Sequence, residues 1–272
     1  MTAAADRLGA RPARAAIAAG ALLLAGCATV PPDAGNNPRD PLERFNRHVF
    51  AFNDGFDRYF MKPVARSYVW LLPAGVRLCI NSGFANIGEI RNAVNDILQI
   101  KPAGAATDTG RLVINSTLGV LGCFDVAKKM GLQRRHEDFG LTLARYGVGT
   151  GPYVVLPLLG PSDVRDGIGL AADSYTNPIN YVQVAPVSDR WTVLGVYLID
   201  TRADLLEATD LIDRTALDRY QFTRDSYLQR RMNLQYEGNP PPLPEEDDSG
   251  ESGPGATGTK DKPAETAPGN QR

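Results

Sequence analysis

HEDFGLTLARYGVGTGPYVVLPLLGPSDVRD, residues 136–166, sets two glycine-punctuated turns around one apolar run. The run, Tyr153-Val154-Val155-Leu156-Pro157-Leu158-Leu159, is far shorter than the roughly 20 apolar residues a bilayer-spanning helix needs. Gly147, Gly149 and Gly151 admit backbone angles closed to other residues, so the chain should reverse tightly near 146–152. Gly160-Pro161-Ser162-Asp163 reads as a turn into a helix, with Ser162 or Asp163 as its cap. Strand-like alternation is confined to 141–143 and 153–156, which allows at most one short β-hairpin. What the stretch offers is apolar surface held in a fixed shape.

Helical periodicity dominates on both sides. Asp40-Pro41-Leu42-Glu43 opens a helix, with Asp40 suited to the N-cap, Pro41 to the first turn and Glu43 to the dipole. Leu42, Phe45, Val49, Phe52, Phe56 and Tyr59 then recur three or four residues apart, an unusually aromatic stripe opposite Arg44, Arg47, Asp54 and Arg58. Such a stripe faces either a protein core or a bilayer interface, and the residues leave both open. Val76, Ile80, Phe84, Ile87, Ile90, Val94 and Ile97 mark a second long helix, with Asn86, Glu89, Arg91 and Asn95 expected to face away. A third helix, about 107–121, has so little polar surface that it belongs in a core or against lipid. Further helices are expected over about 162–174, 188–209 and 210–235. The fold class is therefore mainly α.

The N-terminus reads as an address. Arg7, Arg11 and Arg14 precede an eleven-residue apolar segment, and Leu24-Ala25-Gly26-Cys27 resembles a bacterial lipobox, which makes 1–26 a signal peptide and Cys27 the lipidated residue. Several acyl chains anchor stably where a single one is marginal. Ala28 follows the cysteine, without the aspartate typical of inner-membrane retention, so the expected location is the periplasmic face of the outer membrane. Residues 27–39 read as a flexible tether, 40–237 as the folded domain and 238–272 as a disordered acidic Pro/Gly-rich tail. The folded part is close to neutral and carries no basic stripe, which disfavours nucleic acid as a partner. Lys128, Lys129, Arg134 and Arg135 form a basic cluster, either a solvated face or a surface for anionic headgroups. Cys79 and Cys123 admit one disulfide in an oxidising periplasm, but their apolar flanks favour two buried thiols.

Catalysis finds no constellation here. Ser116, Ser162 and Ser174 lack a nucleophile-elbow setting, and His136-Glu137-Asp138 reads as a helix start rather than an acid–base cluster. The glycine spacing at 147–151 is wrong for a dinucleotide loop, and His48 and His136 lack metal-ligand spacing. No cofactor and no metal are expected, and the chain does not read as an enzyme.

Three strings carry a family resemblance: Asp40-Pro41-Leu42-Glu43-Arg44-Phe45-Asn46-Arg47, Asn115-Ser116-Thr117-Leu118-Gly119, and Tyr146-Gly147-Val148-Gly149-Thr150-Gly151-Pro152-Tyr153-Val154-Val155-Leu156-Pro157. With Arg165-Asp166 after Gly160-Pro161, they resemble the MlaA (VacJ) lipoproteins over roughly 40–235. The resemblance implies a lipid-anchored, membrane-embedded ring of amphipathic helices. It implies a channel that removes mislocalised phospholipid from the outer leaflet, with a trimeric porin as partner. It also implies a periplasmic lipid-binding shuttle, linked to an inner-membrane ABC transporter, as recipient. On that basis Tyr146, Gly147, Gly149, Gly151, Tyr153, Val154, Val155 and Leu156 are candidates for a channel lip or gate. The stripe from Leu42 to Tyr59 becomes the membrane-facing surface. The alternative is a structural envelope tether or porin-associated scaffold that moves no lipid.

Overall fold

The computed structural model describes residues 30–178 and 190–241. The chain divides into two units, Met1–Pro240 and Pro241–Arg272, and all described residues except Pro241 belong to the first. The signal peptide, Cys27 and nearly all of the acidic tail lie outside the described residues.

Helix α1 (Glu43–Phe56) runs through a π-helical turn, Asp57–Met61, into α2 (Lys62–Leu71), so the aromatic stripe continues unbroken. Pro73 starts α3 (Ala74–Leu98), and Pro102, with no N–H to lose in a first turn, starts α4 (Pro102–Thr117). These two helices pack along each other as a hairpin. Val120, Leu121 and Gly122 then follow one another in the left-handed region. Glycine is required at 122, where a Cβ would lie 2.7 Å from that of Asn86. Asp125 caps α5 (Val126–Lys129) and Asp138 caps α6 (Phe139–Arg145), each carboxylate accepting a backbone N–H three residues on.

Strand β1 (Tyr153–Leu156) pairs antiparallel with β2 (Gly160–Asp163), Tyr153 opposite Asp163 and Leu156 opposite Gly160. The single short hairpin among the described residues matches the expectation, but its second strand is the segment read as a turn, and 141–143 lies inside α6. Once Asp138 caps a helix at Leu141, that triplet has no extended backbone to offer. Asp163 accepts from Asp166 N at 2.7 Å and starts α7 (Val164–Thr176). The C-terminal region forms α8 (Arg190–Asp204), α9 (Leu206–Thr215) and α10 (Arg219–Gln235), not two helices. Asp218 makes the extra boundary, accepting from the N–H groups of Tyr220 and Gln221.

Burial overturns one expectation outright. The face of α3 read as outward is the inward one: Asn86, Glu89, Asn92, Asn95 and Asp96 are buried, while Val76, Ile97 and Leu98 are exposed. Helix α4 does the same, burying Asp108, Arg111 and Asn115 and exposing Val113. Tyr59, Trp70 and Leu121 are each more than four-fifths exposed. The buried apolar cluster is small, built of Val49, Tyr153, Val155 and Tyr220. Polar groups inside and apolar groups outside reverse the arrangement of a water-soluble domain. No helix among the described residues is long and apolar enough to cross a membrane.

Cys79 on α3 and Cys123 in the loop after α4 form a disulfide, which corrects the reading of two free thiols. The helical hairpin brings residues 44 positions apart side by side, a proximity their apolar flanks do not reveal. By loop-closure entropy alone a link of this span stabilises by about 4 kcal/mol. Cys123→Ser should therefore lower the thermal midpoint, and reductant should lower that of the wild type but not that of the variant. Scanning calorimetry with and without reductant checks this.

Candidate functional site

The DPLERFNR string builds a buried frame. Asp40 is not the side-chain cap of α1; its carboxylate turns inward and accepts from Asn46 Nδ2 (2.9 Å), Tyr220 Oη (2.5 Å) and Arg224 Nη1 (3.3 Å). Asn46 also donates to Tyr153 O (3.0 Å) and accepts from Val155 N (2.9 Å). Asn53, seven residues on and thus on the same helix face, donates to Leu156 O (2.9 Å) and accepts from Leu158 N (2.8 Å). Two asparagines on α1 thereby hold β1 and the turn beyond it. Arg47 bridges Glu43 (2.9 Å) and Asp218 (2.7 Å) with its guanidinium 4.5 Å over the Tyr220 ring, tying α1 to α10.

A second polar seam joins α3 to α4. Arg111 donates from Nε to Glu89 (2.8 Å), from Nη1 to Leu132 O (2.6 Å) and from Nη2 to Asp125 (3.0 Å). Asn115 donates to Asp125 (3.1 Å) and accepts from Ala127 N (2.9 Å). Further along, Asn95 donates to Asp173 (3.0 Å) and accepts from Thr142 Oγ1 (2.8 Å), while Gln99 donates to Glu137 (2.8 Å). Hydrogen bonds between side chains on neighbouring helices are how helices adhere where no hydrophobic drive is available.

Asp96 and Asp108 meet inside this seam. Burial raises both, and Asp108, with the carboxylates of Asp96 and Glu89 nearby, is pushed up to about 7. A carboxyl raised in the fold contributes stability that is complete below its unfolded value near 4 and is lost as pH rises through 7. Asp108→Asn, permanently neutral, should flatten the fall in thermal midpoint between about pH 4 and 7 and raise the midpoint at the upper end. Unfolding followed across that pH range provides the check.

The eight lip candidates divide. Gly147, Gly149 and Gly151 border an open cleft of about 520 Å³, together with Arg39, Arg165, Leu228, Met232 and Gln235. Gly147 and Gly151 are left-handed, as the tight reversal requires. Tyr146 is exposed beside them and donates its hydroxyl to Leu98 O at 2.6 Å. Tyr153 and Val155 lie in the apolar cluster, not on an open surface, because strand alternation sends both to the inner face; Val154 and Leu156 are half-buried. The aromatic stripe divides in the same way: Leu42, Phe45, Phe52, Phe56 and Tyr59 are exposed, whereas Val49 packs inside at 1% exposure.

A smaller cavity, about 180 Å³, was not visible in the sequence. Its walls come from α3 (Asn81, Phe84, Ile87, Gly88, Arg91), from Arg134 ahead of α6 and from α8 (Tyr197, Asp200, Thr201). Phe84 and Tyr197 meet edge to face at 5.2 Å. Asp200 accepts from Tyr68 Oη (2.8 Å) and Asn81 Nδ2 (3.2 Å), and Asn81 also donates to Asp204. Arg134 Nη2 donates to Ala85 O (2.9 Å), whereas the buried Nε of Arg91 has no hydrogen-bond partner among the described residues. The sequence carries no signal for it, since Arg91 and Asp200 stand 109 positions apart on different helices.

The family model of the MlaA lipoproteins matches residues 38–234. An uncharacterized protein of Rickettsia bellii is 38% identical over 202 residues, covering 74% of this chain and 78% of its own. The Escherichia coli K12 protein named intermembrane phospholipid transport system lipoprotein MlaA is 36% identical over 219 residues, covering 79% and 85%. A solved structure, reported as the structural basis for maintenance of bacterial outer membrane lipid asymmetry, aligns with a TM-score of 0.60 at 35% identity, covering 74% of this chain and 99% of that one.

Proposed function

The chain belongs to the MlaA lipoprotein family, and from that premise we propose that it removes mislocalised phospholipid from the outer leaflet of the outer membrane. In this reading it is a lipoprotein of the intermembrane phospholipid transport system, anchored through Cys27 on the periplasmic side, and it carries out transfer rather than bond breaking. The observation that carries the proposal is the inversion of polarity. Glu89, Arg111, Asn95 and Asp108 are buried, while Phe45, Trp70, Leu78 and Leu121 are exposed. Exposed apolar surface on this scale marks contact with lipid or another protein.

A headgroup crosses hydrocarbon only at large cost unless polar groups line its way. Acyl chains need the opposite lining. A body that is polar within and apolar without supplies both, so headgroups travel along the interior while the tails remain in lipid. The cleft at Gly147, Gly149 and Gly151 forms the lip, with Tyr146, Val154 and Leu156 at its edge and Tyr153 and Val155 securing it from the core. Leu42, Phe45, Phe52, Phe56 and Tyr59 face the membrane. A trimeric porin holds the protein in place, and a periplasmic shuttle feeding an inner-membrane ABC transporter receives the lipid.

Mass spectrometry of the detergent-extracted chain tests this. Retained phospholipid, displaced by excess short-chain phospholipid, is the expected result. A chain that retains none would be a scaffold for its porin rather than a conduit.

A further inference from the structure

We propose that the cavity between α3 and α8 selects a zwitterionic glycerophospholipid headgroup, seating the phosphate against Arg91 and Arg134 and the ammonium toward Asp200. The assignment rests on the phospholipid-transfer reading above and specifies which headgroup the site prefers.

Charge within the cavity is separated. On one wall, among the described residues, Arg91 forms no ion pair and its buried Nε has no hydrogen-bond partner; Asp138 and Asp173, which do not line the cavity, feel its charge. Arg134 has only a distant carboxylate, Glu89 at 3.8 Å, and its other bond goes to a neutral carbonyl. The positive field there is felt by His136, which burial, with Arg134, Arg230 and Arg91 nearby, holds below the ordinary histidine value. On the opposite wall Asp200 is buried, and its hydrogen bonds come from the neutral groups of Tyr68 and Asn81. Asp204, one turn further along α8, shares Asn81, and Arg77 acts on it from nearby.

Arg91 and Asp200 thus line one space without neutralising each other. A ligand with a single negative charge would satisfy the guanidinium wall and face repulsion from the carboxylates. A ligand carrying phosphate and ammonium two carbons apart matches both walls. Size points the same way: about 180 Å³ holds a headgroup, whereas pockets enclosing whole drug-sized ligands run from about 300 to 1,000 Å³. Phe84, Ile87 and Tyr197 supply apolar surface where the glycerol and the first methylenes would emerge.

The test is calorimetric titration of the full lipidated chain in detergent with dihexanoyl phosphatidylethanolamine, dihexanoyl phosphatidylglycerol and inorganic phosphate. Phosphatidylethanolamine should bind about tenfold more tightly than phosphatidylglycerol, and phosphate more weakly than either. Arg91→Gln should lower phosphatidylethanolamine affinity about tenfold, Arg91→Lys should restore part of it, and Asp200→Asn should abolish the preference between the two lipids. Gly88→Leu guards against misfolding: a Cβ at 88 has Arg134 Nη2 as its nearest neighbour at 3.8 Å, and leucine favours a helix more than glycine does. It should fill the cavity and block binding while helical circular dichroism stays intact. Equal affinity for the two lipids, phosphate binding as tightly as lipid, or unchanged binding in folded Gly88→Leu would overturn the assignment. The transport reading would survive that result if the chain still cleared surface phospholipid from cells, and would fall separately if it did not.

Discussion

Arg111→Met should lower the unfolding free energy by about 3–5 kcal/mol, the range for removing one partner of a buried ion pair. Arg111 and Glu89 are 2% and 1% exposed, so no water replaces the lost donor. The variant leaves Glu89 facing Arg134 at 3.8 Å and Asn92 at 3.1 Å, and strips Leu132 O and Asp125 of a donor each. Glu89→Leu added to Arg111→Met removes the uncompensated charge as well and should recover a large part of the loss, since apolar replacement of a whole buried pair is often near neutral. Denaturant unfolding of both variants in detergent checks the pair. A loss confined to a few tenths of a kcal/mol in the single variant would mean that the seam between α3 and α4 is open to water.

Phe45→Asp, Phe52→Asp and Phe56→Asp together should leave the fold standing and remove much of its hold on lipid. All three rings are exposed, and no buried polar group depends on them. Phe56 does stack near Phe60 at 5.2 Å, a pair that itself lies on the outer surface. Fully burying a phenylalanine contributes about 1.5–3 kcal/mol, so three half-accessible rings contribute about 3 kcal/mol, or about a hundredfold in partitioning. The acyl anchor would mask that change, so it is measured in a Cys27→Ala background as vesicle binding. Unaltered binding would show that α1 does not meet the bilayer.

Periodicity made the helices readable and misjudged their orientation. The spacing of Val76 to Ile97 identified α3, and the same spacing places Asn86, Glu89 and Asn95 together on one face. Which face turns inward is not in the spacing: Asn86, Asn92 and Asn95 are buried because Ser116, Arg135 O and Asp173 on other elements pair with them. Short-range chemistry read well where a cap sat next to its helix, as at Asp163, and poorly where one aspartate served two ends. Asp40 has the residue type and position of an N-cap, yet Tyr220 and Arg224, some 180 positions away, draw its carboxylate inward. Asp218 falls inside the helix expected over about 210–235 and proves to be both the start of α10 and the partner of Arg47. The cavity was beyond sequence reasoning altogether, because Arg91, Arg134 and Asp200 belong to three elements that only the fold assembles.

Clearance of phospholipid from the outer leaflet is read from surface-exposed phospholipid in cells lacking the chain, complemented with wild type or with Cys27→Ala. Surface phospholipid should rise on deletion, and the wild-type, lipidated chain should reverse the rise while Cys27→Ala does not. No rise on deletion would contradict clearance and leave a family member whose polar interior serves some other purpose.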